Sequence, residues 1–363
     1  MVMDKRDMHR PASVSAGALM GGAMAFAGIG LALLIIKGLQ TISQIGQFSQ
    51  FFDTGKFTTV LVLFLILALV ITAAGVTIGM NAFTLLRGRR PNLRPSVLAY
   101  STYVAATGLI VFIAILVLDA SSSAGNAQTA SIIMMLAGGA GIAAGVLWGP
   151  DPQKRLASGI TGAVGAFLFF IASMIATSGS RSVGAASFAG ANLSSSNTPA
   201  ILTSMALLAV GAAAIVAAIV RGPGRVSYVF VLAGAALLGG ISHLLTGLDY
   251  LKALDNGTSS DGLVSTGLIL IYIAGWICIL AFAAFLTAAI LAAVGFGSLA
   301  TQQSQANRPA GWQMPGQPAP PMAFTPAPAA PAAGRRLQCP QCKNVVNVMP
   351  GQKPICGYCG FGA

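Results

Sequence analysis

The chain has 363 residues, of which 8% are charged and 55% hydrophobic, with a mean hydropathy of +0.80. A soluble domain carries about 25% charged residues, so these values exclude a water-soluble globular protein of this size. The net charge of +12 would suit nucleic acid. Most of it, however, lies in short segments between apolar runs, where positive charge reports membrane orientation instead.

Eight segments are apolar and long enough to cross a hydrocarbon core, which takes roughly 20 residues of helix. In chain order they are residues 14–36, 58–86, 96–118, 131–148, 157–177, 200–220, 226–247 and 263–296. The first is too long for the apolar region of a signal peptide, and Lys37 and Gln40 after it do not form a small-residue cleavage site. Residues 38–52 follow, with Leu39, Ile42, Ile45, Phe48 and Phe52 near helical spacing. They read either as an amphipathic helix on the outer leaflet or as a helical extension of the first span. The last segment belongs to a run of 38 uncharged residues, 263–300, long for one helix and short for a hairpin of two. No Pro, Asn or Asp pair marks a turn between Ile271 and Leu291, so a single tilted or protruding helix is expected.

Lys and Arg set the orientation. With the N-terminus in the cytosol, 16 of them fall inside, including Arg87, Arg89, Arg90, Arg94, Lys154, Arg155, Arg221 and Arg225. Only four, Lys37, Lys56, Arg181 and Lys252, fall outside. That bias predicts a cell-membrane protein with both termini cytosolic. The sequons at Asn192 and Asn256 fall in outer loops and agree with it.

The odd-numbered spans open alike, with Arg10-Pro-Ala-Ser13, Arg94-Pro-Ser96, Arg155-Leu-Ala-Ser158 and Arg225-Val-Ser227. Two readings fit: four copies of a two-helix unit, or basic loops that converge on one turn composition.

The eight span cores contain no Asp, Lys or Arg, although an ionisable residue there would be the default functional candidate. His243 is the exception, and it reads as a proton-sensitive group or as a neutral histidine bonded to a neighbouring helix. Cys278 reads as a small packing residue. Rows such as Ala137-x3-Gly141-x3-Gly145 and Ser158-x3-Gly162-x3-Ala166 suit close helix packing, or a cavity lined by those glycines. Asn81, Tyr100, Thr102, Tyr103, Tyr272 and Trp276 either line a path for a neutral or lipidic molecule or serve as interhelical bonds and interface anchors. Enzyme signatures are missing: the chain has no Glu, hence no His-Glu-x-x-His, and no phosphate-cradling Gly-x-x-x-x-Gly-Lys-Ser/Thr.

After the spans, residues 301–336 are rich in Pro and Ala and read as an extended linker. Then come Cys339-Pro-Gln-Cys342 and Cys356-Gly-Tyr-Cys359, two C-x-x-C knuckles with 13 residues between them. Four thiolates at this spacing suit a tetrahedral structural Zn²⁺. Val345–Val348, a turn at Met349-Pro-Gly351 and Lys353–Ile355 read as strand, turn, strand. So small a unit cannot fold on an apolar core, so the metal would supply most of its stability. Residues 337–363 resemble a zinc ribbon of the short two-knuckle type, departing from it in Lys343, where such knuckles often place Gly. The resemblance implies a ligand role for Cys339, Cys342, Cys356 and Cys359 and contact with protein or nucleic acid.

The expected architecture is therefore an all-α polytopic membrane protein of about eight transmembrane helices with a small β zinc ribbon. Its parts are a cytosolic N-terminus (1–12), a membrane domain (13–300), a linker (301–336) and the ribbon (337–363). The expected role is a non-enzymatic scaffold or subunit of a membrane complex, in contact with lipids, whose ribbon docks a protein partner. The alternative is a transporter or channel for a small neutral or lipid-like solute, with the ribbon regulatory.

Overall fold

The computed structural model describes residues 10–45, 54–86, 93–118, 125–149, 151–179, 198–219, 227–255, 261–306, 335–338 and 345–348. The chain divides into two compact units, Met1–Asn307 and Arg308–Ala363.

The described residues of the first unit form the helices α1 (Arg10–Ile45), α2 (Thr54–Leu86), α3 (Arg94–Val117), α4 (Gly125–Leu147), α5 (Pro152–Gly179), α6 (Thr198–Ile219), α7 (Ser227–Asp255) and α8 (Gly262–Ala306). All eight are long and apolar enough to cross a membrane, which makes this a multi-pass membrane protein. Local chemistry explains several of the ends. Asp151 precedes Pro152 and accepts the Gln153 amide at 3.0 Å, capping α5. Asp261 caps α8 in the same way through Leu263, also at 3.0 Å. Hydroxyls inside the helices return to a carbonyl one turn back, as Thr72 does to Ala68 at 2.8 Å and Thr107 to Tyr103 at 2.9 Å. Their polarity is thereby satisfied without water.

The run at 262–306 is one continuous helix, as its lack of turn residues leads one to expect. Its 45 residues extend about 68 Å at 1.5 Å per residue, well beyond a hydrocarbon core of about 30 Å. Residues 38–45 continue α1 as a helical extension; residues 46–52 lie outside the described set.

Each helix packs on the next, and α8 packs on α1, so the eight close into a ring. Pairs of close approaches fix the direction of neighbours. Gly21 faces Gly79 and Gly28 faces Thr72; Gly108 faces Met135 and Gly145 faces Leu98. Gly165 faces Ala137 and Ser158 bonds to Ala144; Gly159 faces Ile215 and Gly211 faces Ala163. Gly239 faces Ala206 and Ser242 bonds to Thr203; Gly240 faces Phe282 and Gly247 faces Gly275; Gly22 faces Ile277 and Gly30 faces Gly267. In each of these seven seams one number rises as the other falls, so the helices run antiparallel, and the direction of α2 against α3 follows from the rest. We call the side where α1 begins the near side and the opposite side the far side.

Small residues make the seams. Buried alanines recur every seven positions, as in Ala130, Ala137 and Ala144 on α4 and Ala274, Ala281 and Ala288 on α8. A seven-residue repeat holds one face against a neighbour over many turns if the helices supercoil left-handedly. Without a hydrophobic driving force between helices in lipid, close packing of this kind supplies the association. Outward faces carry the large apolar groups instead: Val62, Ile66, Leu69, Val76, Met80 and Phe83 on α2, spaced by threes, fours and sevens, are all exposed. Such a stripe is untenable in water but suits lipid.

The seams are not equal. The two loosest are α2–α3 and α6–α7, so the ring consists of two four-helix arcs, α7–α8–α1–α2 and α3–α4–α5–α6. Pairing into four two-helix units is not distinguished by the packing, since α1 lies against α8 almost as extensively as against α2.

In the second unit, β1 (Arg335–Gln338) pairs antiparallel with β2 (Val345–Val348), Arg335 opposite Val348 and Gln338 opposite Val345. Val345–Val348 is thus a strand, but its partner precedes the first knuckle. Lys353–Ile355, expected as the partner strand, lies outside the described residues.

Candidate binding cavity

A cavity of about 310 Å³ lies within the first unit. It touches six consecutive helices, from Met20 on α1 and Ile78 on α2 to Leu207 on α6. A space in contact with six successive members of a closed ring must lie on its inner side.

Most of the wall comes from one arc. Tyr100 and Ser101 of α3, Gly138 and Gly141 of α4, and Gly159, Gly162 and Gly165 of α5 all line it. Gly162 adds to the volume by lacking a side chain. A Cβ on Gly162 would meet only the Ala144 Cβ, at an ordinary 3.6 Å. Gly141 differs, because the Ser101 hydroxyl already fills the place of its missing methyl.

The antiparallel registers locate the cavity along the membrane normal. Ser96, Trp148 and Ser158 stand level with one another at its near-side end. Toward the middle of the bundle, Val104, Ala137 and Phe169 form a buried cluster contributed by α3, α4 and α5, and all three also line the cavity. The cavity thus runs inward from the near side along this cluster and, on α5 and α6, reaches Phe169 and Thr203, the latter five residues from the far-side start of α6.

Its polar groups are few and mostly engaged. Ser158 donates to the Ala144 carbonyl at 2.7 Å, which ties α5 to α4. Asn81 of α2 donates to Ser96 Oγ at 2.7 Å. Both serines belong to the similar openings of the odd-numbered spans, and each bonds back to the preceding helix. At the deeper end, Ser242 of α7 donates to the Pro199 carbonyl at 2.7 Å, and its oxygen lies 2.7 Å from Thr203 Oγ1. With its single proton committed to Pro199, Ser242 accepts from Thr203. The Tyr100 and Tyr103 rings meet edge to face with centroids 5.9 Å apart. Little polarity is left facing the space, which therefore suits a hydrocarbon moiety better than a polar solute.

The polar residues singled out from the sequence separate. Tyr100 lines the cavity and Asn81 holds one of its lining serines. Thr102 and Trp276 face outward, Trp276 half exposed with Tyr272 edge-on at 6.4 Å. His243 does not line the cavity. Its Nδ1 is buried without a hydrogen bond of good geometry, near the Gly239 carbonyl one turn back. Its ring meets Phe285 of α8 edge to face at 5.4 Å, so its tie to the neighbouring helix is an aromatic contact. Cys278 is buried on α8. Of the glycine rows, Gly141 and Gly162 line the cavity as well as lying between packed helices.

Cys339, Cys342, Cys356 and Cys359 lie outside the described residues. The first pair falls within residues 339–344, the connection between β1 and β2. Among the described residues no group of three or more His, Cys, Asp or Glu could hold a metal.

Outside the spans one electrostatic feature stands out. Lys37 near the far end of α1 forms an ion pair with Asp261 at the start of α8. The hydrogen bond from Lys37 holds the Asp261 carboxyl below the usual carboxylate range. The pair closes the α1–α8 seam on the far side.

Compared with family models, with curated proteins and with solved structures, the chain finds no match.

Proposed function

We propose that the chain is a non-enzymatic membrane scaffold, or a subunit of a membrane complex, whose C-terminal ribbon docks a protein partner in the cytosol. The observation that carries this reading is the β1–β2 pairing. The two paired strands flank Cys339-Pro-Gln-Cys342 in the sequence, which supports the ribbon reading. Cys339, Cys342, Cys356 and Cys359 would hold one structural Zn²⁺ as four thiolates, and the ion would supply the stability that so short a unit cannot draw from burial. The 16-to-4 split of Lys and Arg supports cytosolic termini at the cell membrane, where thiols stay reduced.

The test is truncation after Asn307, which leaves α8 whole, beside the variant Cys339→Ser/Cys356→Ser in the full chain. The scaffold reading expects about one zinc per wild-type chain, its loss in the double variant, and loss of the same co-purifying proteins from both altered chains. Unchanged partners after truncation would sink it.

The cavity favours a second reading, in which the bundle holds a small neutral or lipid-like solute and the ribbon is regulatory. Solute binding that survives truncation after Asn307 would support this reading.

A further inference from the structure

We propose that the near-side cavity takes one acyl chain of an anionic phospholipid from the surrounding bilayer, with the lipid phosphate held by Arg94, Lys154 and Arg155. The inference rests on the second reading above and goes beyond it in naming the ligand and the residues that select it.

Three observations converge. The first is the shape and chemistry of the cavity: almost wholly apolar, and running from Ser96, Trp148 and Ser158 on the near side inward to Phe169 and Thr203. An elongated apolar space of this kind accommodates a hydrocarbon chain. At about 310 Å³ it sits at the small end of ligand pockets, which run from about 300 to 1,000 Å³, so it holds one chain and not two.

The second is charge at the mouth. The registers put Arg94 at the start of α3 level with Gly149 after α4, and Arg155 at the start of α5 donates from Nε to the Gly149 carbonyl at 3.1 Å. Arg94, Lys154 and Arg155 are all exposed there, beside Ser96, Trp148 and Ser158. Asp151 stands among them, with one carboxylate oxygen accepting from the Gln153 amide. Among the described residues here, cations outnumber anions, which favours a negative headgroup at this depth. An acyl chain gains nothing by leaving one hydrocarbon environment for another, so selectivity must come from the headgroup.

The third is access. The seam between α2 and α3 is the loosest in the ring, and Ile78, Ser96, Val97 and Tyr100 on its two sides line the cavity. A lipid can therefore keep its second chain outside while the first passes between these helices.

The reporter is built in. Trp148 lines the mouth, and Trp276→Phe with Trp312→Phe leaves it as the chain's one indole. The full-length protein in phosphatidylcholine nanodiscs is titrated with phosphatidylglycerol brominated on its acyl chains, or with equally brominated phosphatidylcholine. The expected result is that the anionic bromolipid quenches Trp148 at concentrations at least about tenfold lower. Each of Arg94→Gln, Lys154→Gln and Arg155→Gln should reduce that preference by roughly fivefold, the equivalent of about 1 kcal/mol per cation near a headgroup. Gly162→Leu, which fills the cavity, should abolish the quenching component seen with either lipid. The comparison of the two bromolipids on the unfilled cavity needs no filled variant to fold. Equal titration by both lipids, abolished by Gly162→Leu, would overturn the headgroup assignment and leave a site for uncharged apolar solutes. Quenching indifferent to Gly162→Leu would overturn this proposal and the solute reading together.

Discussion

The two arcs of the ring use the same small residues to opposite effect. In α7–α8–α1–α2 the helices run 29, 45, 36 and 33 residues, against 24, 23, 28 and 22 in α3–α6. The long arc is tightly closed. Glycines on α1, α2, α7 and α8 bring backbones into contact, and Leu34, Leu268 and Ile271 fill the space between α1 and α8 with Tyr250 and Val264 packed on them. The short arc also has tight seams, but Gly162 lies on its inner wall and the cavity opens in front of it. A glycine on a seam draws two backbones together, whereas one on the inner face leaves volume. The arcs meet at the two loosest seams, and each of these carries a side-chain hydrogen bond: Asn81 to Ser96 across α2–α3, and Thr203 to Ser242 across α6–α7.

The sharpest way to break this distinction is to place the same side chain on a seam and on the inner wall. A Cβ on Gly75 would stand 2.5 Å from the Ala25 amide nitrogen and 2.6 Å from the Gly21 carbonyl, and neither backbone can swing aside. Gly75→Leu should cost at least about 3 kcal/mol, the upper range for overpacking, seen as loss of the monodisperse species and a collapsed melting transition in detergent. Gly162→Leu should stay within about 1 kcal/mol of wild type. Equal damage from the two would mean that inner wall and seam are not different environments.

The sequence carries the arcs unevenly. All eight spans are legible because a run of apolar residues without charge has few alternatives, and their ends fall near Asp-Pro and Arg-Pro pairs with recognisable cap chemistry. The far ends are less so: α1 and α7 run on to Ile45 and Asp255, through residues polar enough to resemble loop. Ala137 and Gly145 of one small-x3-small row each also belong to a seven-residue row of buried small residues, Ala130–Ala137–Ala144 and Ser131–Gly138–Gly145, in which alanine, glycine and serine substitute for one another. The glycine rows allow both close packing and a cavity, and Gly141 and Gly162 do line one; which glycines face inward depends on ring closure through α8 and α1, the two helices most distant in sequence. The Lys37–Asp261 pair is hidden for the same reason.

A smaller effect tests how the arcs are joined. Hydrogen bonds between membrane helices average about 0.6 kcal/mol and reach about 1.7. Ser242 donates to one partner and accepts from another, so Ser242→Ala should lie toward the top of that range, near 1.5 kcal/mol. Thr203→Val removes only the second of these bonds and should cost less. Because the two residues share a bond, the double variant should be less destabilised than the sum of the singles. Additivity in reversible unfolding in mixed micelles would show that Thr203 and Ser242 do not act together, leaving the bond from Ser242 to the Pro199 carbonyl as the polar tie across that seam.

The smallest expected effect concerns closure of the long arc on the far side. Asp261 has its folded-state pKa lowered, chiefly by the hydrogen bond from Lys37, so the pair stabilises the ring only while the carboxylate is charged. That contribution is fully present above the unfolded carboxylate value, about 3.9, and is lost as pH falls through the depressed folded value. Asp261→Asn isolates the charge, because Asn caps a helix about as well as Asp and the bond from the Leu263 amide can persist. The variant should melt lower than wild type at neutral pH and low salt. The gap should narrow with added salt, because an exposed pair is screened, and should begin to shrink near about pH 4 and close as pH falls through the depressed folded value. A gap that persists in acid would assign the effect to the cap instead, and the α1–α8 seam would then owe its closure to Gly30, Gly267 and the leucines beside them.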